Sequence, residues 1–133
     1  MKKNDLPKSL IRYLRCIYVL SQKRKVVRVK EIALRINVTT SAATQAIKEL
    51  AKRGLILHEH YGFVELTEKG EKIAREFYEK AQFFINFFTQ FLNIPEEIAE
   101  EDACKMINIF NIITLEKFKN FIERIKKQKV LSK

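Results

Sequence analysis

Ser41, Thr44, Gln45 and Lys48 recur at i, i+3, i+4 and i+7, the spacing that puts side chains on one face of a helix. Their chemistry suits one task in particular. A helix enters the DNA major groove only if its outward residues are short or flexible polar groups that reach base edges and phosphates. Gln45 can pair with an adenine edge, the hydroxyls of Thr40, Ser41 and Thr44 can meet phosphates or bases, and Lys48 suits phosphate or guanine. Thr39 or Thr40 would cap this helix, and its N-terminus itself favours a phosphate. Ala43, Ala46, Ile47 and Leu50 form the opposite, apolar stripe. Taken alone, therefore, the pattern also fits an ordinary amphipathic helix with a solvated face.

Two other pairs could do chemistry. His58 and His60 stand two apart on a predicted strand and could share a face as zinc ligands, but no Cys or further His lies nearby to complete a site. They fit better as exposed residues of a hairpin tip, with His60, like Arg28, within reach of nucleic-acid backbone. Cys16 and Cys104 could act as a thiol switch if they approach each other, although the commoner behaviour of such thiols is that of small buried hydrophobes. No glycine-rich phosphate loop, Ser/His/Asp set or pair of carboxylates in an apolar setting is present, which speaks against an enzyme.

The elements that would position the polar face follow from periodicity. Asn4 or Asp5 caps a first helix carrying Leu10, Leu14, Ile17 and Tyr18 to about Ser21. Val26–Val29 is a short extended piece, and a short helix from about Lys30 buries Ile32, Ala33 and Ile36. After the turn Asn37-Val38-Thr39 comes the helix described above, ended by Gly54. Leu55, Leu57, Val64 and Leu66 then alternate with polar residues across His60-Tyr61-Gly62, a two-stranded hairpin. A long helix runs from about Thr67 to Leu92, with Ile73, Phe77, Ala81, Phe84, Phe88 and Phe91 on one stripe and Phe83 and Phe87 beside it. Pro95 opens a fifth helix carrying Ile98, Met106, Ile109 and Phe110. Thr114 caps a sixth with Leu115, Phe118, Ile122 and Ile125, and the chain frays from Lys126.

Charge divides along the same lines. Residues 1–53 carry 14 Lys/Arg against 3 Asp/Glu, a net of +11; residues 54–113 carry a net of −6 and residues 114–133 a net of +5. A basic front is suited to a polyanion, and the acidic middle is not. Nearly half of the 133 residues are apolar, enough for a real core. No apolar run reaches membrane-spanning length, and two cysteines make no disulfide framework, which points to a reducing cytoplasm. Phe83, Phe84, Phe87, Phe88 and Phe91 lie on more than one helix face, so a second burial surface is expected, most simply a partner subunit. A hydrophobic effector cavity is the other use for them.

The order of elements, with Tyr13-Leu14-Arg15-Cys16-Ile17-Tyr18-Val19-Leu20, Arg28-Val29-Lys30-Glu31-Ile32-Ala33, Leu66-Thr67-Glu68-Lys69-Gly70 and Glu101-Asp102-Ala103-Cys104, resembles the diphtheria toxin repressor family of iron- and manganese-dependent regulators. The resemblance covers roughly residues 8–125 and is to the shorter, manganese-type members. It implies a mainly α fold with a small β-hairpin: an N-terminal winged helix-turn-helix over 1–70, then a helical dimerisation domain over 71–133 that holds the family's metal-site region. It also implies a sequence-specific transcriptional regulator, most simply a repressor, that binds an operator in duplex DNA as a homodimer, with manganese or iron as its switch. The family's ligand positions fall on Arg12, Arg15, Gln82, Cys104, Ile107 and Asn108. Only Cys104 is a competent soft ligand, and two guanidiniums would repel a divalent cation. No cofactor is therefore expected, or manganese or iron if the family's metal switch survives. Arg12 or Arg15 paired with Glu100, Glu101 or Asp102, or a thiol switch, could stand in its place. The rival of another class is a winged helix that binds protein and whose basic face is only solvated.

Overall fold

The computed structural model describes residues 6–24, 26–58 and 62–131, with side chains described through residue 128. The chain forms two compact units, Met1–Tyr78 and Glu79–Lys133, the division falling inside one helix.

The first unit begins with α1 (Lys8–Ser21). The proposed caps Asn4 and Asp5 lie outside the described residues. Pro7 takes the N-cap position, its carbonyl accepting from the amides of Leu10 and Ile11. Leu10, Leu14 and Ile17 are buried on α1 as their spacing predicts, and Ile11, Tyr13 and Cys16 join them. β1 (Val27–Arg28) leads directly into α2 (Val29–Ile36), which starts one residue before the expected Lys30 and buries Ile32, Ala33 and Ile36. Asn37 ends α2 in the left-handed conformation at φ 57°; its amide reaches the Leu34 carbonyl and that of Val38 the Ala33 carbonyl. Asn tolerates this conformation better than most residues.

α3 (Thr40–Lys52) is capped by Thr39, whose Oγ1 accepts from the Ala42 amide at 3.0 Å. It closes with the paired bonds of a Schellman motif: Gly54, at φ +76°, donates to the Ala51 carbonyl, and Leu55 donates to that of Leu50. β2 (Ile56–His58) and β3 (Phe63–Leu66) follow.

The sheet has three strands in the order β1-β3-β2, all antiparallel, with Val27 opposite Val64 and Ile56 opposite Leu66. The hairpin expected from the sequence is thus widened by the extended piece at Val27–Arg28. Ile56 and Val64 point into the core, whereas Leu57 is 56% exposed, a correction to the expected alternation. Successive strand side chains face opposite ways, so once Ile56 is inside, Leu57 is outside. There it lines a shallow, mainly apolar groove of about 330 Å³ with Val26, Phe63, Val64 and Glu65.

α4 (Glu68–Gln90) starts from a tight junction. Thr67 Oγ1 donates to the Gly54 carbonyl at 2.7 Å and accepts from the Gly70 amide at 3.0 Å, while the Thr67 amide reaches the Leu55 carbonyl at 3.1 Å. Gly70 packs so closely that a Cβ there would lie 1.8 Å from the Leu55 carbonyl oxygen.

The second unit is helical. It holds the rest of α4, α5 (Glu96–Ile109) and α6 (Ile112–Leu131). Its core is Ala81, Phe84, Ile85, Phe87, Ala99, Ala103 and Ile122, with Phe83, Phe88, Phe91, Leu115 and Phe118 packed against it. Two expectations change here. α5 buries Ala99 and Ala103, while Ile98, Ile109 and Phe110 are exposed. α6 starts before Thr114: Asn111 Oδ1 accepts from the Ile113 amide at 2.9 Å, and the helix continues past Lys126 to Leu131.

The junction sets a test of the fold. Gly70→Ala forces a methyl into backbone that cannot yield, and we expect a loss of roughly 2–4 kcal/mol, read from denaturant midpoints. A loss below about 0.5 kcal/mol would mean that α4 shifts to accept it.

Candidate nucleic-acid interface

α3 turns its apolar stripe inward, with Ala43, Ile47 and Leu50 fully buried. That burial fixes the helix about its axis and leaves Thr40, Ser41, Gln45 and Lys48 exposed and Thr44 half-buried. Ala46 is only half-buried. The Thr44 hydroxyl donates to the Thr40 carbonyl at 2.8 Å, so its oxygen keeps acceptor capacity toward an external donor. No acidic residue occupies the first turn of α3, so its positive end is not offset by a side-chain carboxylate there.

Arg28 is exposed, with its guanidinium over the Phe63 ring at 5.1 Å and its amide donating to Glu31 Oε1 at 3.3 Å. The stacking orients a cation on the sheet without consuming its in-plane donors. Glu31 also pairs with Arg24. His60 lies outside the described residues; His58 ends β2, half-buried. Lys30 and Arg35 on α2 are exposed and were not singled out by spacing, although the basic balance of residues 1–53 includes them. Leu34, between them, is 82% exposed.

The positions that the resemblance assigns to metal are divided between the units. In the first, Arg12 Nη2 donates to the Ile36 carbonyl at 2.9 Å and the Arg15 guanidinium lies 5.7 Å from the Tyr78 ring centroid. Tyr78 also meets Tyr18, their centroids 5.3 Å apart. Arg75 donates to Glu71 at 2.8 Å, and hydrogen bonds to Glu71 and then Tyr18 hold its guanidinium above its usual pKa. In the second unit, Gln82 Nε2 donates to Asn86 Oδ1 at 2.9 Å, and Cys104, Ile107 and Asn108 are half-buried. Two cations, two neutral amides, one hydrocarbon and one thiol do not fit a divalent ion. Among the described residues, no group of three or more His, Cys, Asp or Glu side chains is placed to hold one.

Of the five phenylalanines expected at a subunit interface, Phe84 and Phe87 are buried in their own unit and Phe83, Phe88 and Phe91 pack against that core. Phe118 closes on them, with ring centroids 5.3 Å from Phe84 and 6.1 Å from Phe87. In the second unit, the large apolar side chains left exposed are instead Ile109, Phe110, Ile112 and Ile113, where α5 turns into α6, with Ile98, Leu92 and Phe121. Residue spacing finds the apolar faces of these helices but not which of them the chain itself covers.

A helix-turn-helix followed by a hairpin, ahead of a helical unit, defines a winged-helix DNA-binding protein. Comparison with known proteins narrows this. Residues 5–64 match the family described as iron dependent repressor, N-terminal DNA binding domain, and residues 67–129 match its metal binding and dimerisation domain. An HTH-type transcriptional regulator of Methanocaldococcus jannaschii is 31% identical over 122 residues, 91% of this chain and 98% of that protein. The transcriptional regulator MntR of Escherichia coli is 34% identical over 94 residues, 71% of this chain and 60% of MntR. Among solved structures, T. acidophilum IdeR superposes with a TM-score of 0.71 at 21% identity, and the manganese regulator SloR with 0.72 at 25%. They match 87% and 86% of this chain, which spans 53% of each. The chain belongs to the iron-dependent repressor family. It is a DNA-binding transcriptional regulator and not an enzyme.

Gln45→Ala should relax base preference at one position per half-site at a cost of about 1–3 kcal/mol, measured by competition with single-base variants of a selected duplex. Lys48→Ala should weaken all sequences evenly; the reverse pattern would exchange their roles.

Proposed function

We propose that the chain is a cytoplasmic repressor that binds a two-half-site operator as a homodimer. α3 and the wing of each copy read duplex DNA, and neither manganese nor iron is needed. The observation that carries this reading is the polar face of α3, with Thr40, Ser41, Gln45 and Lys48 exposed and Thr44 half-buried among them, on a helix whose other face is locked in the core of a strongly basic unit. Arg28 and the wing tip around His60 would meet backbone beside the groove. The functional boundary falls near Gly70, with residues 1–70 reading DNA and residues 71–133 pairing the copies. No described helix is long and apolar enough to cross a membrane. Binding to duplex DNA should weaken with salt at a log–log slope of roughly −4 to −8 per dimer. A flat response would overturn the nucleic-acid reading and favour a winged helix that binds protein.

Metal independence rests on the donor set. The two guanidiniums repel a divalent cation, and the amides and single thiol do not offset them. DNA affinity of metal-stripped protein should be the same with manganese, iron or chelator. Stoichiometric, submicromolar binding of either metal that strengthens DNA affinity would overturn this.

Dimerisation is supported by the exposed apolar corner, where Ile109 and Ile113 are 61% and 63% accessible. Such residues gain most from burial against a second copy. Ile113→Asp should yield monomers in sedimentation, and a wild-type monomer at high micromolar concentration would refute the dimer.

A further inference from the structure

Arg12 sits on the exposed side of α1, yet its Nη2 reaches across 24 residues of sequence to the Ile36 carbonyl at 2.9 Å. Ile36 is the last residue of α2. The turn that ends α2 uses the carbonyls of Ala33 and Leu34 for the amides of Val38 and Asn37. The Ile36 carbonyl lies at the negative end of the helix, where a guanidinium makes a charge-assisted bond and also meets the dipole. Three residues on, Thr39 caps α3.

We propose that Arg12 is a positioning residue for DNA reading. It ties the turn between α2 and α3 to α1, and so sets where the first turn of α3 presents Ser41, Thr44 and Gln45. This inference rests on the DNA-reading proposal above. The anchor end is firm: Leu14 and Ile17 of α1 are fully buried, with Leu10 and Ile11 nearly so. The far end is a three-residue connection, Asn37-Val38-Thr39, one of whose residues is held left-handed. The Asn37 and Val38 amides bond back to α2 and Thr39 bonds forward to α3, so the turn couples the two helices, and a shift at the end of α2 moves every base-facing side chain of α3 together. The positive charge doing this is covalent, so no chelator removes it.

Arg12 contacts α2 in this account and not phosphate, which separates the proposal from ordinary basic-patch binding. The test uses the full chain, a duplex selected by the wild type from a random-sequence library, and a scrambled duplex of equal length. Arg12→Ala should lower affinity for the selected duplex about tenfold, leave the scrambled duplex within about twofold, and leave the salt slope unchanged. Arg12→Lys, which still offers a charged donor, should recover most of the loss. A salt slope that falls by about one per protomer would make Arg12 a phosphate contact and overturn the proposal. So would unchanged affinity and selectivity in Arg12→Ala. If Arg12→Ala does not fold, Arg12→Lys and Arg12→Gln decide it: Lys binding well above Gln at equal thermal stability supports the proposal, and equal binding overturns it. A wild type that enriches no duplex removes the DNA reading and this inference together, whereas enrichment matched by Arg12→Ala removes only the inference.

Discussion

The contact between Gly70 and the Leu55 carbonyl constrains everything around it. Three elements meet there: the end of α3, the exit of the wing and the start of α4. Only a residue without a side chain lets α4 come this close, and Thr67 secures the approach by serving Gly54 with its hydroxyl hydrogen and Gly70 with its hydroxyl oxygen. The Schellman motif at Gly54 then turns the chain so that Leu55 and Ile56 enter the core at once. The orientation of α3 is thereby set from its C-terminal end by backbone geometry, and at its N-terminal end by Thr39 and the turn after Ile36.

Charge and apolar surface are divided in a way that suits this arrangement. The basic groups concentrate in residues 1–53, where the exposed face of α3 lies. In the second unit, α5 exposes the acidic side chains Glu96, Glu97, Glu101 and Asp102, and exposed Ile109 ends it, with Ile112 and Ile113 following. A polyanion is attracted to the basic groups of the first unit and repelled by the carboxylates of α5. The family's architecture persists, while the positions that the resemblance assigns to metal carry a donor set that does not fit a divalent ion. Arg12 and Arg15 are engaged in the first unit with the α2 carboxyl end and with Tyr78, roles that an aspartate or glutamate would not fill.

Much of the first unit was legible because its signals are local. Thr39 and Gly54 bracket α3, and the run Ala43, Ile47, Leu50 names its buried face without reference to anything distant. What the sequence left open depended on partners far along the chain. Ile56 and Leu57 are equally apolar neighbours, and only pairing with Leu66 decides which points inward. Val27–Arg28 is too short to be recognised as a strand until β3 lies beside it. In the second unit, periodicity located α4, yet Phe118, contributed by α6, covers Phe84 and Phe87. α5 hid its packing face behind small residues: Ala99 and Ala103 carry little hydrophobic signal, while Ile98 and Ile109 lie outside.

The strand order β1-β3-β2 implies an order of events during folding. β2 and β3 are joined by a short hairpin and can pair early, but β1 meets β3 only after α2, α3 and β2 have been threaded between them. Closing so long a loop costs chain entropy that a two-residue strand repays poorly on its own. The closing step therefore waits until α2 and α3 have formed and drawn Val27 to Val64. The second unit has no strand among its described residues and is held by neighbouring helices, a low-contact-order arrangement that folds fast. On the ribosome the first unit emerges first, so the slow closure of its sheet begins before the second unit has been made.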